Sequence, residues 1–271
     1  MLVRHGESAF VRERRFTGRL DVPLTPDGER QAGRVAARLA DPRTPPPLPL
    51  PEGPPVGCWH SPLGRAAQTA TQIAAARSGG LALHPSPGLV EMHQGDWEGR
   101  PLADVEASDE ERLTAWRRDP LHHRAPDGES LQQGARRVRA ALRQVIAELQ
   151  AAAETGGAQV DGRGDGRGDG RPAADAARRA ALRSTVPGYD TLPRRDPWAI
   201  LVAHDGIFRV TLLTLLGLPL ARFWSFPFAL CGITIVDLRG GRALLRAHNL
   251  TDHLSGVEGG AGAPAPGETA L

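Results

Sequence analysis

The chain has 271 residues, enough for one large domain or two small ones with a well-buried core, and its formal net charge is only +2. All 33 basic side chains are arginine, which excludes Schiff-base chemistry on lysine, a phosphate-loop lysine and a kinase-like ATP site. Residues 155–197 hold eight arginines and six acidic residues, so the rest of the chain is neutral and no general nucleic-acid surface is indicated.

The two cysteines indicate a reducing compartment. Cys58 and Cys231 lie alone and far apart in apolar surroundings, which excludes metal sites built on paired cysteines and predicts buried thiols. The longest apolar run, 210–221, is about half of the roughly 20 residues that a membrane span requires. No secretory leader pattern precedes the first strand. We therefore expect a cytoplasmic protein without a membrane segment, and we leave open a true start a few residues upstream of Met1.

Strands and helices are predicted to alternate along the chain. In chain order, the predicted elements are strand 2–4, helix 26–40, strand 56–60, helix 63–77, strand 81–84, helices 109–118 and 129–153, strand 198–203, helix 207–216, and strands 233–238 and 243–247. The first long helix has the clearest start, because Thr25 is a suitable N-cap and Pro26 suits the first helical position.

Three segments do not fit this alternation. Eight prolines make 41–55 a surface excursion without helix or inner strand. The Gly-Asp-Gly-Arg repeat within 155–197 has too few apolar residues to repay its ordering entropy, so we predict a disordered insert. The tail 255–271 is similarly rich in Gly and Pro, and we predict it to be flexible. Residues 1–254, including the proline-rich excursion and the insert, are interpreted as a single domain.

The alternation of strand and helix predicts an α/β fold. We expect a three-layer sandwich with a mainly parallel central sheet, helices on both faces and a small cap region between 91 and 128. In such sheets ligands bind beyond the carboxyl ends of the strands. His5 follows the first strand and His204 follows the strand near 199–203, so both histidines are expected at that edge.

The residues around these strand ends suit a phosphate. Arg4 precedes His5, and Gly6 after it permits close approach of a ligand to the backbone. Arg65 is predicted in the first turn of a helix, where the helix dipole and the guanidinium both favour an anion. Two arginines and two histidines at three strand ends predict a phosphate pocket that needs no metal, and Glu91 offers a carboxyl group for proton transfer.

Several motifs, in the same order, resemble the histidine phosphatase superfamily in its phosphoglycerate-mutase-like branch. They cover roughly residues 2–250 apart from the proline-rich segment and the insert. The matching segments are Leu2-Val3-Arg4-His5-Gly6-Glu7-Ser8, Arg15-Phe16-Thr17-Gly18, Ser61-Pro62-Leu63-Gly64-Arg65-Ala66-Ala67-Gln68-Thr69-Ala70, Glu91 with Gly95-Asp96-Trp97-Glu98-Gly99, Gly128-Glu129-Ser130, and Val202-Ala203-His204-Asp205-Gly206.

The resemblance implies a catalytic role for five of these residues. His5 would be the nucleophile that becomes a phosphohistidine. Arg4, Arg65 and His204 would hold the phosphoryl oxygens and stabilise the charge that develops during transfer. Glu91 would protonate the leaving oxygen and then accept a proton from the attacking water.

The resemblance also implies a substrate-binding rim and the absence of a cofactor. Ser8, Thr17 and Gly18 would line the approach to a small phosphate ester, and neither a metal nor a cofactor is expected. The physiological ester and the oligomeric state are left open, with a homodimer as one alternative. We expect no nucleic-acid partner, because aspartates balance the arginines of the insert.

The motifs fit three functions: a phosphate ester hydrolase, a mutase and a non-catalytic phosphate-binding protein. Mutases of this family resemble one another in an Asn after the first motif, a Tyr three positions after the acidic Glu, and a substrate-binding Lys. Here Val11 and Gln94 occupy the first two positions and the chain has no Lys, so hydrolysis is favoured over a mutase reaction. A non-catalytic phosphate-binding protein is the third alternative, disfavoured because both His5 and Glu91 are present.

Overall fold

The structure is a computed structural model that describes residues 1–158, 196–239 and 242–256. Six strands in this part of the chain form one sheet: β1 Leu2–Arg4, β2 Cys58–His60, β3 Leu83–Pro85, β4 Ile200–Ala203, β5 Ile233–Arg239 and β6 Arg242–Leu250. The strand order is β3-β2-β4-β1-β5-β6. The first four are parallel, β5 is antiparallel to β1, and β6 is antiparallel to β5.

The helices of the described residues connect and cover these strands. They are α1 Ala9–Arg12, α2 Pro26–Ala40, α3 Gly64–Ala75, α4 Leu102–Ser108, α5 Glu110–Arg118, α6 Leu131–Ala158 and α7 Asp205–Leu216, with short 3₁₀ helices at Pro87–Leu89, Gly95–Trp97, Leu220–Ser225 and Asp252–Leu254. The predicted cap on α2 is confirmed, since the Thr25 hydroxyl accepts a hydrogen bond from the backbone N–H of Gly28 at 3.0 Å. No helix among these residues is both long and apolar enough to cross a membrane.

Helices cover both faces of the sheet. Successive side chains of a strand point to opposite faces, so neighbouring residues pack in different layers. Val3 and Val202 face one layer, where they pack with α2 and α3. Leu2 and Leu201 face the other layer, which is formed by α6 and α7. The predicted three-layer α/β sandwich with a mainly parallel sheet is therefore confirmed.

A third, smaller cluster forms the cap. It is centred on the fully buried Trp97, whose indole N–H donates to the Asp109 carboxylate at 2.9 Å. Phe16 and Trp116 pack against this indole ring at centroid distances of 5.2 and 5.7 Å, and residues of α4 and α5 complete the cluster. The cap thus has an aromatic core of its own beside the carboxyl edge of the sheet.

Several predicted boundaries differ from the structure. The strands expected at 56, 81 and 198 each begin two residues later, because their first residues pair irregularly or not at all. The helices α1 and α4 were not predicted; both are short, and α4 buries only Leu102 and Val105. The helix expected at 129–153 runs from Leu131 to Ala158.

The proline-rich segment 41–55 is only partly the surface excursion that was expected. It contains no helix or strand, as predicted, but Leu48 and Leu50 are buried in the layer formed by α2 and α3. Most of the insert 155–197, most of the tail 255–271, and Gly240 and Gly241 between β5 and β6 lie outside the described residues.

Candidate active site

His5 lies at the carboxyl end of β1, where its backbone N–H donates to the Ala203 carbonyl of β4. Its Nδ1 is 2.6 Å from the Gly6 carbonyl oxygen, which can only accept, so Nδ1 carries the proton and Nε2 carries a lone pair. Arg65 Nε donates to that Nε2 at 3.3 Å. Burial, followed by the charges of Arg65 and Arg4, holds the pKa of His5 well below its usual range. His5 is therefore a neutral imidazole with a nucleophilic Nε2.

Gly6 has a packing role that its sequence context did not predict. A side chain there would lie 2.4 Å from the Gly28 carbonyl oxygen, and a side chain on Gly28 would lie 2.0 Å from the Glu7 carbonyl oxygen. The glycine after His5 thus permits close packing of the His5 loop on α2, while its role in ligand approach stays a prediction. This packing holds the residues that follow His5 against the start of α2.

Arg65 is fixed by its α3 helix and by the loop that enters the cap. It is 1% exposed, and its two terminal nitrogens donate to the carbonyls of Leu20 at 2.8 Å and Gly18 at 2.9 Å. Burial lowers the pKa of Arg65 to about 10, so the guanidinium stays charged at neutral pH. Gly18 has φ +47° and a Cβ there would collide with the Glu98 carboxylate, so only glycine suits this turn.

Arg4 is positioned by the segment between α7 and β5. Its Nη1 donates to the Phe228 carbonyl at 2.6 Å, and the Phe228 N–H donates to Asp205 Oδ1 at 3.1 Å. Asp205 in turn forms a buried ion pair with Arg209, 2.9 Å between Nη2 and Oδ2. Arg4 Nε is buried and has no hydrogen-bond partner within the described part of the chain. A buried donor in that state is rare and is a candidate for binding a ligand oxygen.

His204 lies at the carboxyl end of β4, next to His5. The two ring centroids are 4.9 Å apart, and His204 Nε2 is 2.8 Å from the Ser61 hydroxyl. Its Nδ1 is buried without a hydrogen-bond partner among residues 1–158, 196–239 and 242–256. Burial, then the neighbouring Arg65 and His5, lower the pKa of His204 well below its usual range. A neutral His204 can donate one hydrogen bond beside His5.

Glu91 approaches the same pocket from the loop between the sheet and the cap. Its carboxylate accepts backbone hydrogen bonds from Met92 at 2.7 Å, Gly206 at 3.1 Å and Ile207 at 2.8 Å. The last two are in the first turn of α7, where N–H groups lack helical partners. Burial raises the pKa of Glu91, and the backbone hydrogen bonds only partly oppose this. Glu91 therefore retains a proton to higher pH than an exposed carboxyl group does.

These side chains enclose one pocket at the carboxyl edge of the sheet. Its walls are formed by Arg4, His5, Val11, Thr17, Gly18, Arg65, Glu91, Gln94, Trp116, Asp205, Gly206 and Phe223. Six of the eight site residues predicted from sequence are among them. His204 and Ser8 are not. His204 is fully buried with its ring beside that of His5. Ser8 is fully buried at the start of α1, where its backbone bridges to Leu24.

The pocket also includes residues that were not predicted to bind substrate. Val11 and Gln94 were considered only as departures from the mutase pattern, and Trp116 was not among the predicted site residues. Asp205 belongs to the His204 motif, so the motif could have indicated it. Phe223 carries no sequence signal, because it reaches the pocket from the segment that follows α7.

The chain matches curated relatives over part of its length. It is 37% identical over 148 residues to a protein of Yersinia enterocolitica named probable phosphoglycerate mutase GpmB, a match covering 52% of this chain and 60% of the relative. A protein of the same name from Enterobacter is 40% identical over the same shares. The chain therefore spans about three fifths of the length of the curated relatives that it matches.

Solved structures with the same fold cover almost the whole chain. A mycobacterial glucosyl-3-phosphoglycerate phosphatase in complex with VO3 aligns with a TM-score of 0.65 at 22% identity, covering 92% of this chain and 98% of that one. The alpha-ribazole phosphatase from Shigella flexneri aligns with a TM-score of 0.62 at 24% identity, covering 92% and 95%. At these identities the similarity establishes the fold.

The family follows from a broader match. The model of the histidine phosphatase superfamily, branch 1, matches residues 1–156 and 159–251, which include all the pocket residues described above. The order of motifs in the sequence and the shared fold agree with this match. The chain belongs to the histidine phosphatase superfamily (branch 1).

Proposed function

We propose that this protein hydrolyses a small phosphate monoester through a phosphohistidine at His5, with residues 1–254 as its catalytic domain. It would act in the cytoplasm without a metal or cofactor. The observation that carries the proposal is the state of His5, whose Nδ1 proton is held by the Gly6 carbonyl while Nε2 faces the Arg65 guanidinium. A lone pair beside a fixed cation suits attack on an anionic phosphoryl group.

In the first step, His5 Nε2 forms a bond to phosphorus as the ester P–O bond breaks. Arg4 and Arg65 supply positive charge to the phosphoryl oxygens, and His204 supplies one neutral donor. The leaving oxygen takes the proton of the Glu91 carboxyl group, whose raised pKa favours the protonated form. The products of this step are the free alcohol, a phosphohistidine and the Glu91 carboxylate.

In the second step, water replaces the alcohol. The Glu91 carboxylate accepts a proton as the water oxygen attacks phosphorus, and the N–P bond returns its electron pair to His5 Nε2. Inorganic phosphate leaves, and both His5 and Glu91 regain their starting protonation states. A single carboxyl group can serve both steps because the alcohol and the water occupy the same side of the phosphorus.

Hydrolysis is favoured over a mutase reaction by the residues of the pocket wall. Val11 and Gln94, the two positions that depart from the mutase pattern, both line the pocket. The chain has no lysine that could hold a substrate carboxylate. The name of the curated relatives favours the mutase reaction as the second candidate, so the assay must separate the two.

The test measures phosphate release from 4-nitrophenyl phosphate in the presence of a chelator. We expect turnover by the parent protein and its loss in His5→Ala, while the exposed-histidine control His123→Ala remains active. Rapid quenching in base should trap one phosphoryl group on the parent and none on His5→Ala. Chelator-sensitive turnover, or an active His5→Ala variant, would contradict the mechanism.

A second assay uses the two phosphoglycerate isomers. Interconversion of 2- and 3-phosphoglycerate without phosphate release would assign the mutase reaction, whereas phosphate release without interconversion supports the hydrolase. Phosphate binding without either reaction would identify a non-catalytic binder. A panel of phosphate esters then ranks substrates by kcat/KM.

A further inference from the structure

The loop that carries Glu91 is fastened to helix α6 by one arginine. The guanidinium of Arg137 donates to the carbonyls of Gly88 at 2.9 Å, Val90 at 2.6 Å and Glu91 at 3.1 Å. Three carbonyls within four residues thus converge on a single side chain. This fork of donors holds the backbone on the amino side of Glu91 and at Glu91 itself.

Glu129 holds that guanidinium in place. Its two carboxylate oxygens accept from Arg137 Nε and Nη2, each at 2.8 Å, in the paired geometry that strengthens an arginine–carboxylate contact. The Glu129 backbone N–H donates to the His93 carbonyl at 2.8 Å, so the same residue also anchors the loop two positions beyond Glu91. Arg19 adds a contact of 3.2 Å to Glu129 and one of 3.4 Å to the Glu91 carbonyl.

Two glycines allow this loop to lie directly on α6. A Cβ on Gly88 would be 2.7 Å from the Ala141 Cβ, and one on Gly134 would be 2.7 Å from Met92 Sδ. The carbonyls of the loop therefore lie close enough to α6 for the guanidinium of Arg137 to reach them. The charged pair is largely removed from water, with side-chain exposures of 18% for Arg137 and 9% for Glu129.

We propose that the Arg137–Glu129 pair, hereafter the loop clamp, is a positioning device that holds the Glu91 carboxyl group where it can protonate the leaving oxygen of the ester that His5 attacks. This inference rests on the proposed function, in which Glu91 is the acid. Neither clamp residue lines the pocket, so the clamp acts through Glu91 and not on the substrate. Charge-assisted bonds to several carbonyls fix a loop more tightly than a single neutral bond does.

The clamp has a kinetic signature that a purely structural role lacks. An ester with a poor leaving group, such as butyl phosphate, needs protonation of the leaving oxygen, whereas 4-nitrophenyl phosphate releases a stable anion. Misplacing the acid by a fraction of an ångström therefore slows the first ester far more than the second. A variant with a damaged core would slow both equally.

The experiment measures kcat/KM on butyl phosphate and 4-nitrophenyl phosphate for the parent, Arg137→Lys, Glu129→Gln and Glu91→Gln. Arg136→Lys is the matched control, since Arg136 is the exposed neighbour on the same helix. Arg137→Lys keeps the charge but loses the fork of donors. We expect it to lower kcat/KM at least about tenfold on butyl phosphate and less than about threefold on 4-nitrophenyl phosphate, with Arg136→Lys unchanged on both.

The variants separate the possible failures. Equal losses on both esters in Arg137→Lys, or no loss on either, overturn the loop clamp. If Arg137→Lys does not fold, the isosteric Glu129→Gln, with the same selective loss expected at smaller size, decides the question by the same comparison. If Glu91→Gln itself shows no selective loss on butyl phosphate, Glu91 is not the acid and the proposed function fails. A selective loss in Glu91→Gln without one in the clamp variants overturns only the clamp.

Discussion

The buried ion pair between Asp205 and Arg209 provides a direct test of how the site is supported. Both side chains are on α7, one turn apart, with exposures of 3% and 2%, and Arg209 Nε is 3.0 Å from Asp205 Oδ1. The guanidinium carbon also lies 5.6 and 5.2 Å from the ring centroids of Phe223 and Trp224. The substitution Arg209→Met keeps an unbranched chain beside these rings but removes the positive charge.

The expected loss of stability follows from the charge that remains. Without Arg209, the Asp205 carboxylate stays buried with the Phe228 N–H as its hydrogen-bond donor in the described structure. Breaking a buried pair by removing one partner costs about 3–5 kcal/mol, because the other charge is left uncompensated. At about 2–4 °C per kcal/mol for chains of this size, Arg209→Met should lower Tm by roughly 6–20 °C.

Urea unfolding followed by tryptophan fluorescence and circular dichroism measures this change, with the free energy of unfolding extrapolated linearly to water. The control Arg34→Met, at an exposed position of α2, should change the free energy of unfolding by no more than about 0.5 kcal/mol. The double variant Asp205→Asn with Arg209→Met should recover much of the loss, because neither charge of the pair then remains buried. A loss below about 1 kcal/mol in Arg209→Met, or a double variant as unstable as the single one, would refute this reasoning.

Three further predictions concern pH and local packing. Burial holds the pKa of His5 low and raises that of Glu91, so kcat/KM corrected for ionisation of the ester should rise with pH as His5 loses its proton and fall as Glu91 loses its proton. Glu91→Gln should remove the fall, and a fall that persists in this variant would contradict the assignment. Trp97→Ala, which empties the cap core, should cost about 3–5 kcal/mol by urea unfolding, and a loss under about 1 kcal/mol would show that the cap is not held by this ring. Thr25→Ala removes the cap of α2 and should cost about 1 kcal/mol, with Thr25→Ser close to the parent; equal losses in both variants would argue against the hydroxyl contact.

Local sequence signals predicted the helices and strands whose ends are determined by residues adjacent in the chain. The Thr25-Pro26 pair sets the start of α2 because both residues act on the first helical turn itself. The positions of His5 and His204 after buried strands predicted that both lie at one sheet edge, and their rings are in contact there. Short elements such as α4 were missed because two buried side chains make no clear helical period.

Other parts of the site depend on contacts between segments that are distant in sequence. Phe228 follows Arg4 by 224 residues, and its carbonyl binds Arg4 because β5 pairs with β1. Arg137 reaches three carbonyls of the Glu91 loop because two glycines bring that loop onto α6. Neither contact has a local pattern, since pairing and packing choose among many partners with similar local preferences.

The amino-acid sequence by itself therefore determined the α/β class, the family motifs and the residue types that can handle a phosphoryl group. Only the tertiary structure decided which nitrogen of His5 carries the proton, that Glu91 is bound by the first turn of α7, and that Ser8 is buried outside the pocket wall. The physical reason is that the identity of a side chain is a local property. Its protonation, burial and partners are set by atoms that the fold brings from elsewhere in the chain.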